Sequence, residues 1–413
     1  MKKIFSNFDK LFLIFLYIQP ILDVLTGIFL HNGINTTISS IIRLSFMILC
    51  VIYMFVYVKD KKMNIYILSL LGYFGIFILT ILLVKGIPAV SYEIKNLLTT
   101  YYFIFIFIAL LNIYKKRKFN TKHLFIIYTS YLLFVFMPNI FNIGFNTYYE
   151  SKEGSTGLFV SANAVGSILS ITLPILLINI KKINIKLILL LLLNIYVIFT
   201  IGTKTPVLSF ILILFVNLIY FVITLIKKKN YKVLGIILMP LIILISASFI
   251  ILPKTTFYKN VVIHINFLEK KDNGHITTNH FIDHFIFSQR LTFEEKTRKS
   301  YNNSSLLEKI FGIGYIENYS TDNVSIKTIE IDYCDIFYRH GLVGFILFFI
   351  PVIYVFKDIF KRIKYTGYRK LNICLSITLI LLLALFQGHI FVTPQNSIFV
   401  ALILSLTYNN SFE

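Results

Sequence analysis

Blocks of about twenty apolar residues, separated by short polar connections, run the length of the chain. At 1.5 Å per helical residue each block is long enough to cross a bilayer hydrocarbon core of ~30 Å. Composition agrees: 57% of the 413 residues are hydrophobic and 14% are charged, against roughly 45–50% apolar and about 25% charged in an average soluble domain. A soluble globular enzyme is thereby excluded. The fold class expected is an all-α polytopic membrane protein.

The blocks predict about 12 transmembrane helices, near 11–30, 38–58, 64–84, 94–114, 123–143, 157–180, 183–201, 205–226, 231–252, 334–356, 370–388 and 393–409. The net charge of +21 raises the question of a nucleic-acid partner, and the placement of the basic residues answers it. Of the 40 Lys and Arg, 24 lie at the N-terminus (Lys2, Lys3, Lys10) and in the stretches 59–62, 115–122, 181–186, 227–232 and 357–370, one cluster at every second connection. That alternation is the positive-inside pattern. It makes the lipid bilayer, not nucleic acid, the partner of the charge, and it puts both termini in the cytoplasm. Met1-Lys2-Lys3, leading into an apolar run without a small-residue cleavage site, reads as a retained first helix. Cys50, Cys334 and Cys374 show no paired spacing, so neither a disulfide framework nor a cysteine metal site is indicated.

One connection is far longer than the others. The chain divides into 1–252 (helices 1–9), a large extracytoplasmic loop at 253–333, and 334–413 (helices 10–12). Long loops in compact proteins are usually functional or form their own small structure. This one holds 10 basic residues and four histidines. Its apolar positions Phe281, Ile282, Phe285 and Ile286 suit a helix lying on the membrane surface, so a small helical cap over a membrane cavity is expected. No internal repeat is visible, which disfavours transporters built from duplicated halves.

Ionisable groups inside a membrane span are costly and are functional candidates. Asp23 and Arg43 share a depth in helices 1 and 2, either as a buried salt bridge or with Arg43 facing an anionic substrate. Glu93 and Lys95 resemble a capped start of helix 4 with a snorkelling lysine. Lys204 stands in the tight turn Gly202-Thr203-Lys204-Thr205-Pro206; a cation at a helix start opposes the local dipole and calls for an anionic partner. The densest cluster is Glu330-Ile331-Asp332-Tyr333-Cys334-Asp335, where the long loop re-enters the membrane. Asp332, Asp335 and Arg339 fall on one helical face, while Glu330 sits at or before the helix start. His280 and His284 have the i, i+4 spacing of a helical metal site, with His275 nearby, but no third ligand is evident. Arg290, in Ser288-Gln289-Arg290, follows directly and either points under the cap or is solvated.

Taken together these residues resemble the O-antigen polymerase and O-antigen ligase superfamily of bacterial surface-polysaccharide assembly. The resemblance covers most of the chain. It rests on Gln19-Pro20 to Asp23, Gly157-Leu158-Phe159 to Ser161-Ala162-Asn163, Gly202-Thr203-Lys204, Ser288-Gln289-Arg290, Phe311-Gly312-Ile313-Gly314-Tyr315 and the stretch from Glu330 to Gly344. It implies a GT-C-like fold in the bacterial plasma membrane, and a glycosyltransferase acting on undecaprenyl-diphosphate-linked oligosaccharides at the outer face, for capsule or O-antigen-type polysaccharide. Ligases of the superfamily carry a histidine eleven residues before a Gly-x-x-Gly; here Gly341-Leu342-Val343-Gly344 is present and Glu330 stands in the histidine's place. The resemblance matches Lys204 and Arg290 to the family's arginines.

The expected reaction is polymerisation of lipid-linked repeat units by direct, inverting displacement. Glu330, with Asp332 and Asp335, forms the candidate catalytic set; Arg290, Lys204, Arg43 and Arg339 are the candidate diphosphate-binding cations. No cofactor is expected, the alternative being Mg²⁺ or Mn²⁺ at Glu330 and Asp332. A ligase-type transferase and a lipid-linked oligosaccharide flippase are the competing functions, and a chain-length regulator and a separate flippase are the expected protein partners.

Overall fold

Helix α4 (Ile87–Ile113) is the axis around which the other helices gather: 78% of its most apolar stretch is buried, the highest share of any long helix among the described residues. The structure, a computed structural model, describes residues 6–148, 153–178, 185–231, 252–271, 278, 281–316 and 328–413. Along the chain run α1 (Phe8–His31), α2 (Ile38–Tyr53, continued by a π turn Met54–Val58), α3 (Lys61–Lys85), α4, α5 (Thr121–Ile140), the antiparallel pair β1 (Phe145–Asn146) and β2 (Ser155–Gly157), α6 (Ala162–Leu177), α7 (Ile185–Ile201) and α8 (Lys204–Lys227). There follow α9 (Thr256–Lys271), a π turn Phe281–Ile286, α10 (Arg290–Asn303), α11 (Leu306–Phe311), α12 (Asp332–Arg362), α13 (Gly367–Phe386) and α14 (Pro394–Asn409).

Eight of these helices are long and apolar enough to cross a membrane: α1, α2 with its π turn, α3, α4, α5, α8, α12 and α13. Helices α6 and α7 are apolar but shorter. Helix α14 is buried at every position from Asn396 to Thr407 and packs along α4 more extensively than any other helix does. An element surrounded by protein is free to carry Asn396, Ser397, Ser405 and Thr407, whereas the outer helices present Leu83, Ile14, Leu79 and their like outward. The predicted span at 231–252 lies outside the described residues apart from its ends.

Two predicted boundaries move for local reasons. Pro88 occupies the first turn of α4 after Gly86, so α4 begins at Ile87 and not near 94. Glu93 is therefore inside the helix and buried, not a cap; it pairs with Lys85 at 3.8 Å. At the other site Ser155–Gly157 forms β2, and the Ser161 side chain accepts the Ala164 N–H, so α6 opens at Ala162 and not at 157.

The Lys- and Arg-rich connections meet at one end of the bundle. Arg117 donates to the Ser6 carbonyl, Lys118 to the Asn410 carbonyl and Arg369 to the Phe412 carbonyl. The opposite end carries α9 to α11. There α12 is broken at Gly341 (φ +66°, ψ −175°), and the carbonyls freed by the break are taken up by Ile313, Gly314 and Tyr73. Ile313 N–H donates to the Tyr338 carbonyl at 3.1 Å, Gly314 N–H to the Arg339 carbonyl at 3.0 Å, and Tyr73 Oη to the His340 carbonyl at 2.9 Å. A broken apolar helix is tolerable only when its backbone groups are satisfied in this way. A Cβ at Gly312 would strike the Arg339 and His340 backbone, and one at Gly314 the Glu93 carboxylate. The two glycine motifs thus form one interlocked joint.

Candidate active site

The joint holds the first turn of α12, and that turn sets the candidate site. Its two carboxylates are fully buried and consumed by backbone N–H groups. Asp335 accepts from Ile329 N–H at 3.0 Å and Glu330 N–H at 2.8 Å. Asp332 accepts from His389, Ile390 and Phe391 N–H at 2.5, 2.8 and 2.7 Å, across 57 to 59 residues of sequence. One aspartate therefore fixes the segment carrying Glu330, and the other fixes the connection between α13 and α14 carrying His389.

Both of those residues are held in the left-handed backbone region, Glu330 at φ +63° and His389 at φ +60°. Ser288 and Gln289, which precede Arg290, share that conformation, so four of the eight non-glycine residues with positive φ among the described residues meet here. Such conformations cost about 1–3 kcal/mol each and persist where the surroundings impose them. Gly388 lies so close to the Glu330 backbone that any Cβ there would strike it.

The result is a three-residue group. Arg290 Nη2 donates to Glu330 Oε2 at 2.7 Å, and His389 Nε2 lies 3.7 Å from Glu330 Oε1. Arg290 is itself buried; its Nη1 donates to the carbonyls of Phe287 and Phe386, both at 3.1 Å, and its Nε has no hydrogen-bond partner among the described residues. Burial works to raise the Glu330 pKa, but the nearby imidazole of His389, followed by the charge and hydrogen bond of Arg290, outweighs it and holds the carboxyl down to about 2. For His389 burial works downward, and the close Glu330 carboxylate with the nearby Asp332 charge carries its pKa above the ordinary 6.5.

Arg290 and Glu330 line a cavity of about 830 Å³. Lys204 enters the same cavity from the start of α8, donating to the Phe285 carbonyl at 2.7 Å with its ammonium 3.7 Å from the Phe285 ring centroid. The expected anionic partner of Lys204 is replaced by a carbonyl and an aromatic face. Phe285 comes from the π turn Phe281–Ile286, which stands where a surface helix was predicted. Asn163, Thr203 and Gln387 add polar groups to this region of the wall. Ser161, Thr205, Ser209, His264 and Ser288 are polar as well, and an apolar strip is formed by Leu208 and Leu212 from α8 and Leu379, Leu382, Leu383 and Phe386 from α13, each set repeating at helical spacing. The cavity thus joins a cationic, hydrogen-bonding head to an apolar strip between two membrane-length helices.

The structure separates the predicted site residues into two groups. Glu330, Arg290 and Lys204 share the cavity; Asp332, Asp335, Arg43 and Arg339 are off its wall. Arg43 is buried among Asp23, Gln19 and Ser39, and Asp23 also accepts from Tyr131. Arg339 is buried against Asp335 at 3.8 Å and donates to the Gly314 carbonyl. Because both oxygens of Asp332 accept backbone N–H groups, Glu330 and Asp332 face different partners and do not form an open pair of oxygen ligands. Among the described residues no group of three His, Cys, Asp or Glu is placed to hold a metal ion, and His275 and His280 lie outside them. His389 escaped sequence reasoning; the available signal was a titratable residue after glycine in a very short connection between two spans.

Over residues 6–280 and 275–409 the sequence matches the family described as O-antigen ligase like membrane protein. The chain belongs to the O-antigen ligase-like membrane protein family. No curated protein and no solved structure matches it significantly. Membership makes this chain a multi-pass membrane protein of the glycan-transfer type.

Proposed function

We propose that the protein polymerises undecaprenyl-diphosphate-linked oligosaccharide repeat units, moving the glycan from its polyprenyl diphosphate to a sugar hydroxyl on a second lipid-linked unit. In this reading it has about 12 spans in a GT-C-like arrangement in the bacterial plasma membrane, both termini are cytoplasmic, and the 253–333 segment caps the cavity from outside. The observation that carries the proposal is the cavity itself: two cations and a carboxylate at its head, and six apolar side chains along its stem. That is the complement of an anionic diphosphate attached to a long hydrocarbon chain.

The chemistry follows from the head group. The ionised Glu330 takes the proton of the acceptor hydroxyl as its oxygen bonds to the anomeric carbon. The bond from that carbon to the diphosphate oxygen breaks, its electron pair stays with the leaving diphosphate, and the configuration inverts. Arg290 and Lys204 neutralise the charge gained by the leaving group, the part a divalent ion plays in many other glycosyltransferases. Diphosphate competes with Glu330 for Arg290, so binding the donor frees the carboxylate to act as base. Glu330, standing where superfamily ligases carry histidine, favours polymerase over ligase.

The test uses purified protein in lipid nanodiscs and the lipid-linked repeat units that accumulate in cells lacking it. A ladder of longer lipid-linked glycans with matching release of undecaprenyl diphosphate supports the proposal. Units that cross the bilayer unchanged indicate a flippase, and transfer only to an acceptor that carries no diphosphate indicates a ligase.

A further inference from the structure

The mechanism leaves one strained, titratable residue of the site unused. His389 is pinned on both backbone groups: its N–H donates to Asp332 at 2.5 Å, and its carbonyl accepts from Asn396 Nδ2 at 2.9 Å and from Thr393 Oγ1 at 2.5 Å. The following two N–H groups also end on Asp332. These bonds hold the left-handed turn at His389, a conformation uncommon outside glycine. What the turn achieves is to bring Nε2 to the oxygen of Glu330 that Arg290 does not hold.

We propose that His389 is a positioning residue, the second anchor of Glu330, which keeps the carboxylate in place when an anionic diphosphate draws Arg290 away. The inference rests on the glycan-transfer reading of the same cavity. With the diphosphate absent, Glu330 lies between Arg290 and His389. With it bound, Arg290 turns to the phosphate oxygens and Glu330 is left with His389, still aimed at the cavity and less strongly acidified than before. The groups facing this pair are Arg290 from α10, Lys204 from the start of α8 beyond Arg290, and the buried Asp332 and Asp335 from α12. The two aspartates hold backbone N–H groups, so among the described residues His389 and Arg290 are the charged or titratable side chains that pair with Glu330.

Two measurements test this. In the first, the protein carrying ¹⁵N-labelled histidine is titrated in nanodiscs, with and without inorganic diphosphate, and the His389 resonance is identified by its loss in H389Q. The His389 midpoint is expected above 6.5, to fall in E330Q, and to stay raised in the wild type when diphosphate is added. A midpoint unchanged by E330Q overturns the inference, and this arm needs only a folded E330Q protein. In the second, transfer kinetics are followed on the accumulated lipid-linked units. H389Q is expected to lower kcat at least tenfold with KM within about twofold, and to move the acid limb of the pH profile upward, because Glu330 loses a cationic neighbour. H389K is expected to recover part of the rate. Wild-type kcat and an unmoved acid limb in H389Q overturn the inference, while a wild-type protein that transfers nothing overturns the functional reading on which it rests.

Discussion

Arg290 and Glu330, forty residues apart in sequence, meet through one hydrogen bond of 2.7 Å from Nη2 to Oε2 at the head of the cavity. The arginine is buried, with an Nε donor that has no partner among the described residues, while the carboxylate keeps 30% of its side-chain surface exposed. A substrate anion therefore competes with Glu330 for a cation already committed to the site. Removing the carboxylate should remove catalysis while leaving the anion's attraction. E330Q is expected to lower kcat by about 10²–10⁴-fold, the usual contribution of a general base, without weakening inorganic diphosphate binding measured by calorimetry.

Arg290 and Arg43 are both buried arginines next to a carboxylate, yet they should behave oppositely. Arg43 is enclosed with Asp23, Gln19 and Ser39 away from the cavity, so R43A strands a buried charge and should cost about 3–5 kcal/mol of stability, read as a fall in melting temperature. R290A should instead raise KM for the lipid donor and lower kcat. An R43A protein of normal stability that lost donor binding would place Arg43 in the site.

Asp335 acts on Glu330 through two backbone N–H groups. D335A leaves both unpartnered and should destabilise the fold by about 1–3 kcal/mol for each, with a loss of kcat at unchanged diphosphate affinity. Thermal melts and diphosphate titrations on the same preparation separate the two effects.

The charge pair has a pH signature. A carboxyl depressed from 4.5 to about 2 stabilises the fold above pH 4.5, and that contribution is lost as pH falls from there toward 2. His389, raised above 6.5, contributes fully below 6.5 and loses its share as pH rises through the folded value. The pair is therefore most stabilising between about pH 4.5 and 6.5. In E330Q, melting temperature should lose the acid-side fall due to this residue; an unchanged acid-side profile would show that the pairing does not contribute in solution.

The apolar stem carries its own test. L212W or L383W narrows the strip between α8 and α13 and should raise KM for undecaprenyl-linked units at least several-fold, while leaving a water-soluble short-chain diphosphate analogue nearly unaffected. Equal losses on both substrates would detach the stem from lipid recognition.

The membrane helices were legible because each apolar block is set by its own composition, and the shifted starts of α4 and α6 trace to Pro88 and to β2, whose effects are local. Glu330 and Lys204 stood out as charges at membrane boundaries, and Arg290 as a loop arginine that either points under the cap or is solvated. The roles of Asp332 and Asp335 did not, because an acid whose oxygens are filled by backbone N–H groups, nearly sixty residues away for Asp332 and just upstream for Asp335, looks in sequence like any acid at a helix start. His389 was hidden for the same reason: only the clamp on Asp332 brings it to Glu330. Likewise Glu93 reads as a helix cap until the Gly312-Ile313-Gly314 segment is seen to place Tyr315 and Ile316 N–H on its carboxylate.

The most direct test of the account compares wild-type, E330Q and R290A proteins in nanodiscs with the accumulated lipid-linked repeat units and a divalent-ion chelator present, sizing the lipid-linked products over time. The account predicts a ladder of longer glycans from the wild type that the chelator does not suppress, and unchanged single units from both variants. A ladder of wild-type length from E330Q, or one from the wild type that appears only when divalent ions are restored, would contradict it.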